Sequence, residues 1–454
     1  MPKEIADVIV VGAGVAGLAA ARALCQKGLT ATVLEARSRI GGRILTEQDS
    51  PTSTPVELGA EFIHGKSEEI WRIVRAAGLA VYEVPDNHWH FQNGVLKRRD
   101  DFWAEWEEIV EQMSRAERDQ TFKEFIERRY PNAEQREFKS LAISYVEGFH
   151  AASIDRIGVG ALLRSEQSAK EIEEEKQFRL LDGYHAIAEW LRAGLDPEQV
   201  SLHLNTVVKE IRWSRAKVEV HAQSQPGSHL EPFAARRAVV TLPLGVLQAP
   251  EREPGAVRFV PDLPDKRKAI DRLAMGSVVK IVLRFREQFW EDKNIRVKRK
   301  GGDPSQVSFI HSRDENFPTW WTALPVHAAV LTGWAGGPAA EKLALQEESS
   351  ILGRAIETLA HIFGLERARI EGLLESWRLH NWQADPFTRG AYSYVPVNSL
   401  DAQRELAEPV EDTLFFAGEA TSLDGQNGTV HGAIASGKRA AHEVVQSLGQ
   451  NNLK

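Results

Sequence analysis

Glycines at positions 12, 14 and 17 form GAGVAG, and Glu35 follows Gly12 by 23 residues. Gly12 permits a tight turn, Gly14 lets a pyrophosphate approach the backbone, and Gly17, next to Ala16, lets a helix pack closely. Glu35 is placed to accept hydrogen bonds from an adenosine ribose. The chemistry implied is dinucleotide binding at a helix N-terminus, a device that NAD and FAD share. A second glycine pair follows in EARSRIGGR (35–43), bringing Ala36, Arg37, Gly42 and Arg43 to the same end. Guanidinium groups there would neutralise a diphosphate better than amides alone; the other reading is a basic surface loop. Lys280 lies in the apolar run SVVKIVL (277–283). Burying an ammonium in such a strand costs several kcal/mol unless partners compensate, which points to function; the alternative is an edge lysine reaching solvent.

The elements that must position these groups begin with a buried parallel strand at 7–11, a helix at 18–26 and a second strand at 30–35, together a βαβ unit. Between 100 and 129, Phe102, Trp103, Trp106, Ile109, Val110 and Met113 recur at helical spacing among charges, as in one or two surface amphipathic helices. Strand alternation returns at 202–211, 217–222, 238–242 and 278–285, and 351–363 reads as a helix. Alternating α/β, helical and β-rich stretches predict two interleaved domains. The segments 223–232 and 300–305 read as turn-rich loops. The acidic run EIEEEK (171–176) reads as a solvated helix face, the lesser alternative being an entrance lined for cations.

With 454 residues the chain has room for two or three domains. Its 56 Lys and Arg against 64 Asp and Glu argue against a nucleic-acid partner. The single cysteine, Cys25, excludes an intrachain disulfide, a CxxC pair and a thiolate-rich metal site, and fits a reducing cytoplasm; no metal is expected. The apolar run at 8–21 is shorter than the roughly 20 residues that span a bilayer, and 444–454 is polar, so no membrane association is expected.

Beyond GAGVAG and IGGR, the chain contains ELGAEFIHG (57–65), TLPLGVL (241–247), MGSVVKIVLRF (275–285), RGAYSY (389–394) and FFAGEATSLDGQNGTVHGAIASGKRAA (415–441). In this order they resemble the FAD-dependent amine oxidases of the monoamine oxidase, polyamine oxidase and lysine-specific histone demethylase superfamily, most nearly the polyamine oxidase branch. The resemblance implies an α/β fold with a Rossmann-like FAD-binding domain (1–80, 195–285 and 390–454) and an interleaved α+β substrate-binding domain (81–194 and 286–389). It implies cofactor contacts from Gly59, Ala60, Glu61, Val208, Trp382, Gly418, Glu419, Thr429 and Val430, in addition to the N-terminal residues. Ala391 stands where monoamine oxidases carry the flavin-bonded cysteine, so the FAD should be non-covalent.

By the same resemblance, Lys280 would reach flavin N5 through a water, Tyr392 would form one aromatic wall of the substrate cage, and Thr429 would replace the second wall. His64 would contact substrate amines. Glu61 and Glu147 are candidates for a distal ammonium, and the turn LDGY (181–184) would lie near the active site. The sequon at Asn427 is expected to carry no glycan. The implied reaction is hydride transfer from an amine α-carbon to FAD, imine hydrolysis, and reoxidation by O2 to hydrogen peroxide, with a small-molecule amine, polyamine or diamine, as substrate. Two alternatives stay open. One is an L-amino acid oxidase, which needs an arginine for the substrate carboxylate, with Arg389 the available residue; the other is a non-catalytic flavin-binding regulator.

Overall fold

The structure is a computed structural model that describes residues 5–48, 54–99, 102–132, 135–225, 227–292, 297–301, 303–312 and 316–451. Asp100, single positions in the turn-rich segments (226 and 302), and 452–454 of the polar tail lie outside the described residues.

The apolar, β-branched run at the N-terminus forms the strand Ala6–Val11 and sits at the centre of an eight-stranded sheet. It pairs parallel with Ala31–Leu34 on one side and Phe233–Val240 on the other, so that Val10 lies between Val33 and Val239. Val200–His203 extends one edge, and Lys217–Ser224, Thr206–Ser214 and Arg258–Val260 extend the other. Leu414–Phe416 joins parallel to Phe233–Val240. The run at 8–21 therefore divides into a strand and the helix Val15–Cys25, broken at the glycines. The alternation at 202–211 likewise divides, into Val200–His203 and Thr206–Ser214, with Asn205 in the left-handed region at φ 52° between them. The helices Val15–Cys25 and Val430–Asn451 cover one face, packing Leu18, Ile434 and Val444 onto Val10, Val33 and Val239.

A second eight-stranded sheet carries the order Lys298–Lys300, Val95–Arg98, His88–Gln92, Phe309–His311, Thr319–Thr322, Val330–Gly336, Val278–Phe285 and Leu374–Leu379. Its buried face, including Leu283, Trp320 and Leu331, packs against Ile351, Ile356 and Leu359 of the helix Glu348–Phe363. The strand Val278–Phe285 pairs with Val330–Gly336 and Leu374–Leu379, so it belongs to this sheet and divides the 195–285 segment expected in the first domain. Helices Phe102–Ser114, Phe122–Arg129, Arg136–Phe149 and Val159–Glu171 form a third group around Trp106, Ile109, Phe122, Val146 and Leu162. The amphipathic stretch is thus two helices whose apolar stripe is core. Thr121 and Glu124 form a reciprocal capping box at the second one. Among the described residues no helix is long and apolar enough to cross a membrane.

Candidate active site

One cavity of about 460 Å3 runs from the glycine-rich turn to the face of the second sheet. At its first end Gly12 has φ 106°, and a Cβ there would stand 2.6 Å from Thr241 Oγ1. Gly17 serves close packing: a Cβ on it would lie 1.9 Å from the Gly12 carbonyl oxygen. Gly14 differs, since a Cβ there would meet only Gly42 Cα, at 3.9 Å. The helix that starts after Gly14 has no side-chain cap, which leaves its first N–H groups directed at the cavity.

Glu35 organises this turn. Its Oε2 accepts from Ala13 N at 2.7 Å and its Oε1 from Arg37 N at 2.9 Å, while the residue itself lines the cavity. Arg37 donates to Asp385 (2.7 Å) and Thr388 (2.6 Å), and Arg43 donates to the Ala391 carbonyl (2.7 Å) and Glu419 (2.8 Å). Glu419 also accepts from Ser393 Oγ at 2.6 Å and Gly428 N at 2.8 Å, so it ties the C-terminal loop to the arginine. Ala16, Ala36, Gly42, Gly59, Ala60, Val207, Val208, Gly418 and Val430 line the same space. An uncapped helix N-terminus, a glycine cradle, a carboxylate and two arginines match the donor set of FAD's adenosine diphosphate half. The residues present fit this cofactor.

At the far end lies Lys280, 2% exposed, in a strand whose other side chains are apolar apart from Arg284. Its Nζ donates to Glu61 Oε2 at 2.6 Å and to the Gly59 carbonyl at 3.2 Å. Arg179 approaches the other oxygen, Glu61 Oε1, at 2.8 Å, and Trp321 Nε1 donates to it at 3.0 Å. Burial alone would raise the Glu61 carboxyl; Lys280 and then Arg179 outweigh it and hold the group below its ordinary range. Glu61 is therefore consumed by Lys280 and Arg179 and has no oxygen left over for a distal ammonium.

The walls here are aromatic. Tyr392 donates to the Phe149 carbonyl at 2.6 Å, and burial, with Glu419 adding to it, raises its phenol. Trp334 packs in the same cluster as Tyr392 and donates to the Gly148 carbonyl at 2.9 Å. Phe62 bridges Trp321 (centroids 5.5 Å apart) and His64 (6.2 Å), and His64 meets the edge of Phe149 at 5.6 Å. Burial drives both His64 and His150 down to about 4. Both imidazoles are therefore neutral near pH 7.

The cavity brings together Lys280, Tyr392, His64, Glu61, Trp382 and Thr429. Trp382 is 3% exposed and donates to the Leu58 carbonyl at 2.9 Å. The Thr429 hydroxyl is committed to capping: it accepts from Gly432 N at 3.0 Å and donates to the Gln426 carbonyl at 2.7 Å, opening the helix Val430–Asn451. Glu147 does not join the others. Its charge faces Asp155 and Lys342, while the following residues Gly148 and Phe149 line the cavity. Arg389 also turns elsewhere, donating to Glu253 at 3.2 Å and the Pro254 carbonyl at 2.7 Å. Tyr184, in the LDGY turn, donates its backbone N–H to buried Glu57 at 2.7 Å.

The acidic run is solvated at Glu171, Glu173 and Glu175 but is a turn, not a helix face. The helix Val159–Glu171 ends on its first residue, and the chain turns so that Glu174 lines the cavity with its side chain 19% exposed. Sequence reasoning did not single out Arg179, Trp321 or Trp334. The tryptophan pair at 320–321 was the available signal: alternation sends Trp320 into the core and Trp321 into the cavity.

Residues 15–445 match the family model described as flavin containing amine oxidoreductase, and the chain belongs to that family. Its relatives include lysine-specific histone demethylase 1 homolog 2 of Arabidopsis thaliana, 29% identical over an alignment covering 100% of this chain and 61% of that protein. Polyamine oxidase 4 of Oryza sativa subsp. japonica is 28% identical across 96% of this chain and 88% of its own length. This chain spans between 31% and 61% of the length of the demethylases it resembles. Among solved structures, putrescine oxidase bound to putrescine superposes with a TM-score of 0.79 at 18% identity, over 98% of this chain and 100% of that one. Cyclohexylamine oxidase from Brevibacterium oxydans IH-35A gives 0.78 at 20% identity, over 98% and 100%. These superpositions show a shared fold.

Proposed function

We propose that this chain is an FAD-dependent amine oxidase acting on diamines or polyamines. The observation that carries the reading is one cavity joining a dinucleotide cradle to a buried Lys280–Glu61 pair walled by aromatic rings. FAD, when bound, would supply the two-electron chemistry for oxidising an amine at its α-carbon to an imine, which water hydrolyses, with O2 as the final acceptor and hydrogen peroxide as its product. Gly12, Gly14, Glu35 and Arg43 would hold the adenosine diphosphate half, and Gly418, Thr429, Val430 and Trp382 would border the ring. The attachment is non-covalent in this reading, since Ala391 occupies the position of the bonding cysteine.

The protein's own part is to strip water from the amine, to aim its α C–H between Tyr392 and Trp334, and to keep a fixed N–H donor at Lys280. Glu61 locks that lysine, because each carboxylate oxygen already has its own partner. The polyamine oxidase and putrescine oxidase relatives support an amine substrate of this kind, and the polyamine oxidase is close to this chain in length. Arg389 is paired with Glu253 and lies outside the cavity lining, so it does not serve as the carboxylate clamp that the L-amino acid oxidase alternative needs.

The test is anaerobic mixing of the purified yellow protein with spermidine, a monoamine and an L-amino acid. Bleaching of the flavin by the amines and not by the amino acid is expected. No bleaching by any of the three would favour the non-catalytic regulator. Lys280→Met should keep FAD bound and slow turnover, and equal turnover would remove Lys280 from the mechanism.

A further inference from the structure

We infer that a second, smaller cavity behind Glu61 is a water-filled proton path, and that Glu57, which lies on it, restores the proton that Lys280 gives up when O2 is reduced. The inference rests on the amine-oxidase reading above and adds to it a route and a residue. The second cavity, of about 40 Å3, is lined by Glu57, Glu61, Tyr82, Arg179, Thr322 and Thr332. Glu61 lines the large cavity as well, so its carboxylate is a wall shared by the two. Thr54 and Pro55, both part-exposed, form the outer side.

This lining suits water. Arg179 is 6% exposed, and its Nε has no hydrogen-bond partner among the described residues. A buried N–H that lacks a protein acceptor is met by ordered water. The cavity has room for at least one such molecule, which needs about two to four polar partners, and the carboxyl, guanidinium and hydroxyl groups around it supply them.

Glu57 has no counter-ion there. Its Oε1 accepts from Tyr184 N and its Oε2 from Thr46 Oγ1, both at 2.7 Å. The groups that face it are Glu61 on its own segment, Lys280 from the strand Val278–Phe285, Arg179 from Gln177–Leu180, Tyr82 from Val81–Glu83, and Tyr184 and His185 from the turn that follows Leu180. Lys280 and Arg179 are both taken by Glu61. A buried carboxyl left with neutral donors keeps its proton, and burial accordingly brings Glu57 up to about 7.

Stoichiometry requires a proton at this end. Hydrogen peroxide carries two hydrogens: the hydride from the amine α-carbon brings both electrons and the first, and the second arrives as a proton. Lys280 Nζ gives that proton to the reduced oxygen and takes one back through Glu61, which holds it at 2.6 Å. Glu61 takes one from the cavity water, the water takes one from Glu57, and Glu57 regains its own from solvent past Thr54 and Pro55. Each N–H or O–H bond broken is matched by one formed, and Lys280 and Glu61 end as ammonium and carboxylate. A separate route keeps this proton traffic out of the large cavity, where the amine sits among Phe62, Trp321 and Tyr392.

The flavin-loaded protein is reduced with dithionite, without substrate, and mixed with O2, and the return of flavin absorbance is followed from pH 6 to 9 in wild type, Glu57→Gln and Glu57→Asp. Wild-type reoxidation should slow as pH rises through about 7 and Glu57 loses its proton. Glu57→Gln should be about tenfold slower at pH 6 and flat across the range, while Glu57→Asp keeps part of both. In flavin-free protein the infrared carbonyl band of protonated carboxyls should lose one component in Glu57→Gln. Reoxidation unchanged in Glu57→Gln, no loss from the infrared band, or an equal slowing of anaerobic reduction by the amine overturns the inference. So does a crystal structure with no ordered water in the second cavity within hydrogen-bond distance of Glu61 or Arg179 Nε. Should Glu57→Gln fail to fold, a pH-independent wild-type reoxidation overturns the inference by itself. A wild-type flavin that no amine bleaches overturns the amine-oxidase reading instead, and the dithionite experiment does not depend on it.

Discussion

The two ends of the cavity are built from different materials. The turn at the cradle end is backbone, Gly12, Gly14 and an uncapped helix start, with Glu35 accepting from the N–H groups of Ala13 and Arg37, and the Arg37–Asp385 and Arg43–Glu419 pairs stand behind it. The far end is side chains, and its charges sit in contact with one another across long stretches of sequence. Lys280 and Glu61 are 219 residues apart, and Tyr392 and Phe149 are 243 apart. Backbone N–H groups are permanent donors that need no counter-ion. A buried ammonium and guanidinium need a carboxylate, so removing one member of the second network should cost more than altering one member of the first.

Glu61→Gln gives that contrast its largest expected effect. Lys280 and Arg179, 2% and 7% exposed in their side chains, would lose the charge that compensates both. Destabilisation of about 3–5 kcal/mol is expected from urea unfolding at pH 7. The sign with pH follows. Glu61 is held below its ordinary 4.5 in the folded state, so its stabilisation is fully present above that value and is lost as pH falls through the folded value. Wild type and variant should converge in acid. A variant as stable as wild type at pH 7 would mean that the two cations find other acceptors.

At the cradle, Gly14→Val should separate binding from folding. The open space around Gly14 lets a side chain fit the bare protein, whereas the same change at Gly17 drives a Cβ into the Gly12 carbonyl. Gly14→Val should keep the thermal midpoint of the cofactor-free protein within a few degrees while weakening FAD at least ~100-fold, about 2.7 kcal/mol. Flavin retention on gel filtration and fluorescence titration of the stripped protein measure it. Unchanged FAD affinity would refute the cradle.

A third probe lies outside the main cavity's lining, next to Leu58. Glu57 is 9% exposed and holds Tyr184 N and Thr46 Oγ1, and burial raises its carboxyl from 4.5 to about 7. For an acid raised on folding, stability is greatest below 4.5, falls as pH rises through the window to about 7, and is lowest above it. Glu57→Gln should therefore be more stable than wild type by roughly 1–2 kcal/mol at pH 8 and no more stable at pH 5. A pH-independent difference would show that Glu57 does not change its protonation on folding.

The same division explains what could be read from the sequence. GAGVAG and Glu35 are legible because their job depends on local spacing within one βαβ unit. The strand Val278–Phe285 and the burial of Lys280 are legible because an apolar run marks an interior strand. Its sheet is not, since pairing with Val330–Gly336 and Leu374–Leu379 is decided by partners far along the chain. Glu61 looked like a substrate acid because its two cations arrive from residues 179 and 280. Glu174 looked solvated because the charge pattern continues past Glu171, where the helix has already stopped. Charge runs report polarity, and only the turn after the helix decides which carboxylate points inward.

Thr429 tests the smallest of these differences. The resemblance casts it as a wall of the amine site, whereas its hydroxyl is occupied on both sides, accepting from Gly432 N and donating to the Gln426 carbonyl. If capping is the hydroxyl's main job, Thr429→Ala should cost about 1 kcal/mol of stability and Thr429→Ser should restore most of it. The amine KM should then differ little between the two variants, since they differ in the cap and hardly in what they present to the cavity. A KM that shifts severalfold in Thr429→Ser, where the cap survives and only the methyl is lost, would instead make the methyl face part of the substrate wall. It would also show that the side-chain-built end reaches onto the loop that opens the C-terminal helix.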